Sequence, residues 1–269
     1  FIEHDIRKPF STSMKGDFLI HAAGLASPVY YQKFPMETID VTINGTRNFL
    51  DFAKENNSQS VLFFSSSEIY GDPDPQFIPT PETYWGNVSS LGPRACYDES
   101  KRMGETICTV YHRLYNLPVK IVRPFNVYGP LMKTNDYRVV PNFMVKALKG
   151  ESLQIYDQGN QTRTFCYISD AVTGFLKILL SERNGEVYNV GHDKGEISMG
   201  NLARMISELS PKPVKVELIE YPPTYPAGEP HRRCPDLTKI KSHLGYNPTI
   251  DLRSGLKRTM EWYQSIPLT

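Results

Sequence analysis

SVLFFSSSEIYGDP, from Ser60 to Pro73, runs through four consecutive apolar residues and then turns to serines and an acid. An apolar run of that length without alternation predicts a strand covered on both faces, as parallel strands are. Upstream, DFLIHAA (Asp17 to Ala23) is a second such run, stopping at Gly24. Between the two, Met36, Ile39, Ile43, Phe49, Leu50 and Phe52 recur mostly three or four apart, and Pro35 suits a first helical turn, so Pro35 to Lys54 reads as a helix. Downstream, a Pro-rich polar stretch from Asp72 to Pro93 leads into a helical pattern from Cys96 to Leu114. PVKIVRP (Pro118 to Pro124) is the next strand. Strand, helix, strand, helix, strand predicts an α/β fold with a doubly wound parallel sheet.

Beyond Gly129 the elements shorten and prolines thicken. Helices are expected near Val139 to Lys149, Ser169 to Leu180, Ser198 to Leu209 and Leu252 to Gln264, with EVYNVG (Glu186 to Gly191) as a returning strand. This divides the chain into 1–128 plus about 165–190, forming the sheet, and about 129–164 plus 191–269, forming a smaller lobe. The 269 residues carry 30 Lys and Arg against 29 Asp and Glu, with 40% hydrophobic residues. Such a balance, without basic blocks, argues against binding nucleic acid or a membrane surface. No apolar run approaches the roughly 20 residues that span a bilayer. Cysteines 96, 108, 166 and 234 form no C-x-x-C pair, read as small buried hydrophobes, and fit a reducing compartment.

Tyr97 and Lys101 stand four apart on a predicted helix and share its face. An ammonium beside a phenol favours the phenolate; bringing a tyrosine from about 10 toward 7 takes roughly 4 kcal/mol. Among 16 tyrosines the spacing arises roughly once by chance, so its weight comes from context. The context is the strand ending at Ser65, Ser66, Ser67 and Glu68, because ligands of open α/β sheets bind at the carboxyl edge. A serine hydroxyl there can hydrogen-bond a reacting oxygen, and Glu68 can serve as acid or base.

The segments LASP (Leu25 to Pro28), SSSEIYGDP (Ser65 to Pro73), YWG (Tyr84 to Gly86), GPRACYDESKR (Gly92 to Arg102), RPFNVYGP (Arg123 to Pro130), RVVPNF (Arg138 to Phe143), QTRTFCYISD (Gln161 to Asp170) and RCPD (Arg233 to Asp236) together resemble the extended short-chain dehydrogenase/reductase superfamily acting on nucleotide sugars. Within it, the UDP-glucuronate decarboxylase group is the most similar. Dehydratases of the superfamily usually read Thr-Asp-Glu where this chain has Ser66, Ser67 and Glu68, whereas decarboxylases read Thr-Ser-Glu. Galactose-type 4-epimerases usually lack the Glu. The Arg of the decarboxylase Arg-Lys-Pro-Asp segment corresponds to Arg233, with Cys234 replacing the Lys.

The resemblance implies a Rossmann-like domain using NAD and a lobe that takes a nucleotide sugar, in particular a UDP-sugar. It implies catalytic roles for Tyr97, Lys101, Ser66, Ser67, Glu68 and Arg233, and cofactor contacts from Asp5, Ile6, Ala22, Ala23, Ser65, Tyr97 and Lys101. Substrate contacts fall on Tyr31, Asn126, Arg138, Asn142, Arg163 and Arg233. Guanidinium forks of Arg163 and Arg233 suit diphosphate or carboxylate oxygens. Surface placement is their alternative, a turn role that of Asn126 and core packing that of Tyr31. His21, ending a strand, reads as structural. The implied reaction is an internal redox cycle in which a C4 alcohol becomes a ketone, the carboxylate beta to it leaves as carbon dioxide, and the ketone is reduced again. A 4,6-dehydratase or 4-epimerase of the same superfamily, or a catalytically silent binding module, remain alternatives.

A dinucleotide-binding sheet is expected to start with a strand, a Gly-rich turn and a helix, then an acidic residue for the ribose. None of these occurs here. HDI (His4 to Ile6) resembles the end of the third strand, with Asp5 and Ile6 flanking the adenine, so an amino-terminal βαβ portion is expected upstream of the given residues. The resemblance also implies a homodimer pairing the helices around Asn44 and Cys108, and a cytoplasmic enzyme.

Overall fold

The computed structural model describes residues 1–10, 12, 15–221 and 230–268. Its first half contains β1 (Phe18–His21), α1 (Pro28–Lys33), α2 (Pro35–Glu55), β2 (Ser60–Phe64), α3 (Ala95–Tyr115) and β3 (Val119–Pro124). Then follow β4 (Val127–Tyr128), α4 (Val139–Lys149), β5 (Leu153–Tyr156), β6 (Thr162–Arg163), β7 (Cys166–Tyr167), α5 (Ile168–Leu179) and β8 (Val187–Val190). The remainder adds β9 (Ile197–Ser198), α6 (Met199–Leu209), β10 (Val216–Ile219), β11 (Arg232–Arg233), α7 (Thr238–Leu244) and α8 (Leu252–Gln264).

Four strands form the main sheet in the order β1-β2-β3-β8, all parallel. Successive side chains of a strand leave opposite faces, and here both faces are covered. Val61, Phe63, Val119 and Ile121 pack on Leu50 and Ala53 of α2 and Cys108 of α3. Leu62, Val122, Tyr188 and Val190 pack on Ala171, Ile178 and Leu179 of α5, and on Ile240 of α7. Complete burial of such a side chain contributes about 2 kcal/mol, which is why the strands read as unbroken apolar runs.

A separate core lies beyond residue 128. Val140, Phe143 and Met144 of α4 meet Leu202 and Ile206 of α6 and Leu256, Met260 and Tyr263 of α8. Short pairings complete that region: β5 with β10, β4 with β7, and β6 between β11 and β9. The pairing of β6 with β11 sets Arg163 beside Arg233.

His4 to Ile6, expected to end a strand, lie outside any strand. The Asp5 carboxylate instead closes a turn by accepting from the Arg7 backbone at 3.1 Å and from its guanidinium at 2.7 Å. Ile6 docks on α2, where its carbonyl accepts from Asn48 at 2.9 Å and its side chain lies against Gly45. Local polar partners and the helix satisfy this segment in place of a strand ladder.

Candidate active site at the carboxyl edge of the sheet

The end of β2 delivers three serines to the start of α3. Ser66 caps the short turn Ser67 to Tyr70, its hydroxyl accepting from the Glu68 amide at 3.2 Å, and it faces the Tyr97 hydroxyl, favouring its ionised form. Four residues beyond Tyr97, and therefore on the same face of α3, Lys101 sends its ammonium to the Phe64 carbonyl at 2.7 Å. The same ammonium lies 5.2 Å from the Phe63 ring centroid and 5.8 Å from that of Tyr97. Tyr97 and Lys101 are both buried.

The spacing of Tyr97 and Lys101 leads one to expect that the ammonium makes the phenol more acidic. In this structure burial pushes Tyr97 up to about 12, and Ser66 only partly opposes it. The Lys101 ammonium is engaged by the Phe64 carbonyl rather than by the phenol oxygen. Burial also pushes Lys101 down to about 8, which leaves it charged at neutral pH.

Glu68 is gripped from two sides. Arg94, at the amino end of α3, reaches one carboxylate oxygen at 2.5 Å. Arg233, from β11, reaches one oxygen at 2.7 Å and the other at 2.8 Å, the paired geometry that suits guanidinium and carboxylate. Burial alone would raise Glu68, but Arg233 and then Arg94 overcome it and hold the carboxyl down at about 2. The two arginines thus favour the charged carboxylate of Glu68.

Tyr31 stacks on Tyr97 with ring centroids 5.2 Å apart and planes 17° from parallel, and the Arg94 guanidinium lies 5.9 Å from the Tyr31 ring. Two members of this cluster, Arg94 and Asp98, are not singled out by the sequence alone. Their i, i+4 spacing around Tyr97 is the available signal. Asp98 is buried, its Oδ2 is 3.8 Å from Arg94 Nε, and burial, reinforced by Glu68, pushes its carboxyl up to about 7.

The other expected residues are placed as follows. Ser65 donates to Glu105 at 2.5 Å. Arg163 is buried with its guanidinium on the carbonyls of Thr162, Pro230 and His231, and its charge helps to hold Glu68 ionised. Asn126 adopts φ of 40° and donates to the Thr164 carbonyl at 2.8 Å, joining two segments beside the sheet edge. Arg138 caps the start of α4 and pairs with Asp136 at 2.6 Å; Asn142 is half-buried within α4. His21 is buried, with Nε2 3.1 Å from the Thr46 hydroxyl. Asp5 and Ile6 lie on the α2 side, as described above.

The edge of β1 and β2 fits a dinucleotide. Ala22 and Ala23 leave β1 with minimal side chains, and a Cβ on Gly24 would stand 3.5 Å from the Lys101 ammonium. In the Tyr97 and Glu68 cluster the Tyr31 hydroxyl, one oxygen of Asp98 and Nε of Arg233 are buried without hydrogen-bond partners, groups that a polar ligand would satisfy. Among the described residues no group of His, Cys, Asp and Glu is arranged to hold a metal ion.

Residues 2–191 match the NAD dependent epimerase/dehydratase family. The chain is 41% identical to UDP-glucuronic acid decarboxylase 5 of Arabidopsis thaliana over 255 residues, covering 95% of this chain and 72% of that protein. It is 38% identical to UDP-glucuronic acid decarboxylase 1 of Xenopus tropicalis, covering 98% and 60%. Among solved structures, the dTDP-glucose 4,6-dehydratase DesIV of Streptomyces venezuelae, with NAD bound, superimposes with a TM-score of 0.83 at 25% identity, over 97% of this chain and 78% of that one. A point mutant of UDP-glucuronic acid 4-epimerase from Bacillus cereus, also with NAD, gives 0.80 at 26% identity, over 98% and 81%. With its parallel sheet, its Tyr97, Lys101 and Ser66 cluster and a family match over most of its length, the chain belongs to the NAD dependent epimerase/dehydratase family of enzymes.

Proposed function

We propose that the protein decarboxylates UDP-glucuronate to UDP-xylose through a 4-keto intermediate. The observation that carries this is Glu68, held as a carboxylate between Arg94 and Arg233 and preceded by Ser67 rather than by the Asp that dehydratases use as an acid. The Arabidopsis and Xenopus decarboxylases at 41% and 38% identity support it.

NAD, when bound at the carboxyl edge of β1 and β2, supplies a hydride acceptor and later a donor at C4 of the sugar. Ala22, Ala23, Ser65 and Lys101 are the residues to hold it there, with Asp5 and Ile6 toward the adenine. Tyr97 takes the proton of the C4 hydroxyl, with Ser66 hydrogen-bonding the same oxygen. From about 12, this phenol needs roughly 7 kcal/mol of added positive potential to ionise at neutral pH. The positive charge of an oxidised nicotinamide, when bound, would supply part of it. Once C4 is a ketone, loss of carbon dioxide leaves an electron pair delocalised onto the C4 oxygen, where Tyr97 and Ser66 stabilise it. Arg233 orients the sugar carboxylate, while Glu68 and Ser67 govern proton return at C5.

In this reading 1–128 and about 165–190 serve the cofactor, and 129–164 with 191–269 hold the UDP-sugar through Tyr31, Asn126, Arg138, Asn142 and Arg163. The enzyme is a homodimer through α2 and α3, supported by the exposed Met103, Val110 and Leu114 of α3. It works in the cytoplasm, a reading supported by four free cysteines. Incubation of the intact protein with UDP-glucuronate and NAD should release carbon dioxide and a UDP-pentose. Tyr97→Phe should lower that rate about a thousandfold. A lasting 4-keto product without carbon loss, or simple epimerisation, refutes the assignment.

A further inference from the structure

A continuous, largely buried polar chain runs behind the active site. The Ser65 hydroxyl donates to Glu105 at 2.5 Å, and the Arg123 guanidinium binds both oxygens of Glu105 at 2.8 and 2.6 Å. A third Arg123 nitrogen donates to the Tyr70 hydroxyl at 2.7 Å, and that hydroxyl donates to the Asn189 side-chain oxygen at 2.8 Å. The Asn189 amide nitrogen then divides between the carbonyls of Thr80, at 2.9 Å, and Asp236, at 3.1 Å. Ser65, Tyr70, Arg123 and Asn189 are all buried.

The two ends of this chain are the two supports of Glu68. At one end Ser65 precedes Ser66, whose hydroxyl holds the Glu68 amide and contacts Tyr97. At the other end the Thr80 amide donates to the Cys234 carbonyl at 2.8 Å and the Thr80 carbonyl accepts from the Asp236 amide at 3.0 Å, so Thr80 brackets the segment that follows Arg233. Arg233 lies 165 residues from Glu68 in sequence and is carried on a strand of only two residues. A strand that short supplies few ladder bonds of its own, so its placement depends on what grips its flanks. A fully satisfied buried network has one good arrangement, which suits this task.

We propose that the Ser65–Glu105–Arg123–Tyr70–Asn189 chain positions Arg233 against Glu68, with Tyr70 and Asn189 as positioning residues for the proton-handling half of the site. The consequence for catalysis rests on the decarboxylase reading above, whereas the placement of Arg233 does not. Tyr70→Phe removes one hydroxyl, retains the ring, and leaves the Asn189 oxygen without its donor. Tyr84→Phe, a neighbouring ring outside the polar chain, is the control. Amide exchange in the intact protein should quicken about tenfold at Arg232 to Asp236 in Tyr70→Phe, and stay unchanged in strands β1 and β2 and throughout the control. With UDP-glucuronate, kcat should fall about tenfold, KM should stay within about twofold, and the share of sugar released as the 4-keto product should rise. Unchanged exchange at Arg232 to Asp236, exchange quickened equally across the fold, or local quickening with unaltered kcat and product ratio in an active enzyme would each overturn the proposal. If the unsubstituted protein releases no carbon dioxide, the reaction assignment fails, and the exchange pattern still decides whether the network holds Arg233.

Discussion

Asp98→Asn should make the protein more stable, and increasingly so as pH rises. The Asp98 side chain is 8% exposed, one of its oxygens has no hydrogen-bond partner, and the other is 3.8 Å from Arg94 Nε. Burial first, and the Glu68 charge second, push the carboxyl from 3.8 to about 7 against the opposing pull of Arg94 and Arg233. An acid whose folded value lies above its unfolded one binds more protons in the folded state between the two, so stability falls as pH rises through that window. Between about pH 4 and pH 7 the ceiling on this loss is roughly 4 kcal/mol, at about 1.4 kcal/mol per pH unit. An asparagine amide keeps the shape and never ionises. Asp98 also lies in the first turn of α3, where a carboxylate gains up to about 1 kcal/mol from the helix dipole, so the net stabilisation expected near pH 8 is roughly 3 kcal/mol. Urea unfolding at several values between about pH 5 and pH 8 measures it, as a gap between variant and parent that widens upward and levels off near pH 8. A variant less stable than its parent at high pH, or a gap independent of pH, refutes the reasoning by showing that the carboxylate is held ionised in the folded protein.

Two further substitutions probe the frame that carries the site. At Gly104 of α3 an added Cβ would stand 2.5 Å from the Phe63 ring, which β2 holds buried. Gly104→Ala should therefore lose about 1–2 kcal/mol in a urea titration despite the better helix propensity of alanine. Asp170 accepts the backbone amides of Thr249 and Ile250 at 2.9 and 2.8 Å. Asp170→Ala leaves both partly buried donors without that carboxylate, and should cost about 2–4 kcal/mol and lower the thermal midpoint.

The alternation of apolar strands with long amphipathic helices is legible in the chain because it is local. Val61 to Phe64 is apolar throughout since both faces of β2 are covered, and α2, α3, α4, α6 and α8 begin or end within two residues of where their patterns place them. The six-residue α1 and seven-residue α7 are too short for a periodicity to declare itself.

At the site, the four-residue spacing puts Tyr97 and Lys101 on one face of α3 and the end of β2 puts the serines at the carboxyl edge of the sheet, since a helix repeat and a strand terminus are properties of neighbouring residues. What the chain by itself could not decide was charge. The phenol is weakly acidic because of how deeply it is buried. Glu68 stays ionised because a strand 165 residues away sets Arg233 against it. Solvation and long-range Coulomb interaction depend on what stands nearby in space, and only the tertiary structure brings Arg94, Asp98, Glu68 and Arg233 together.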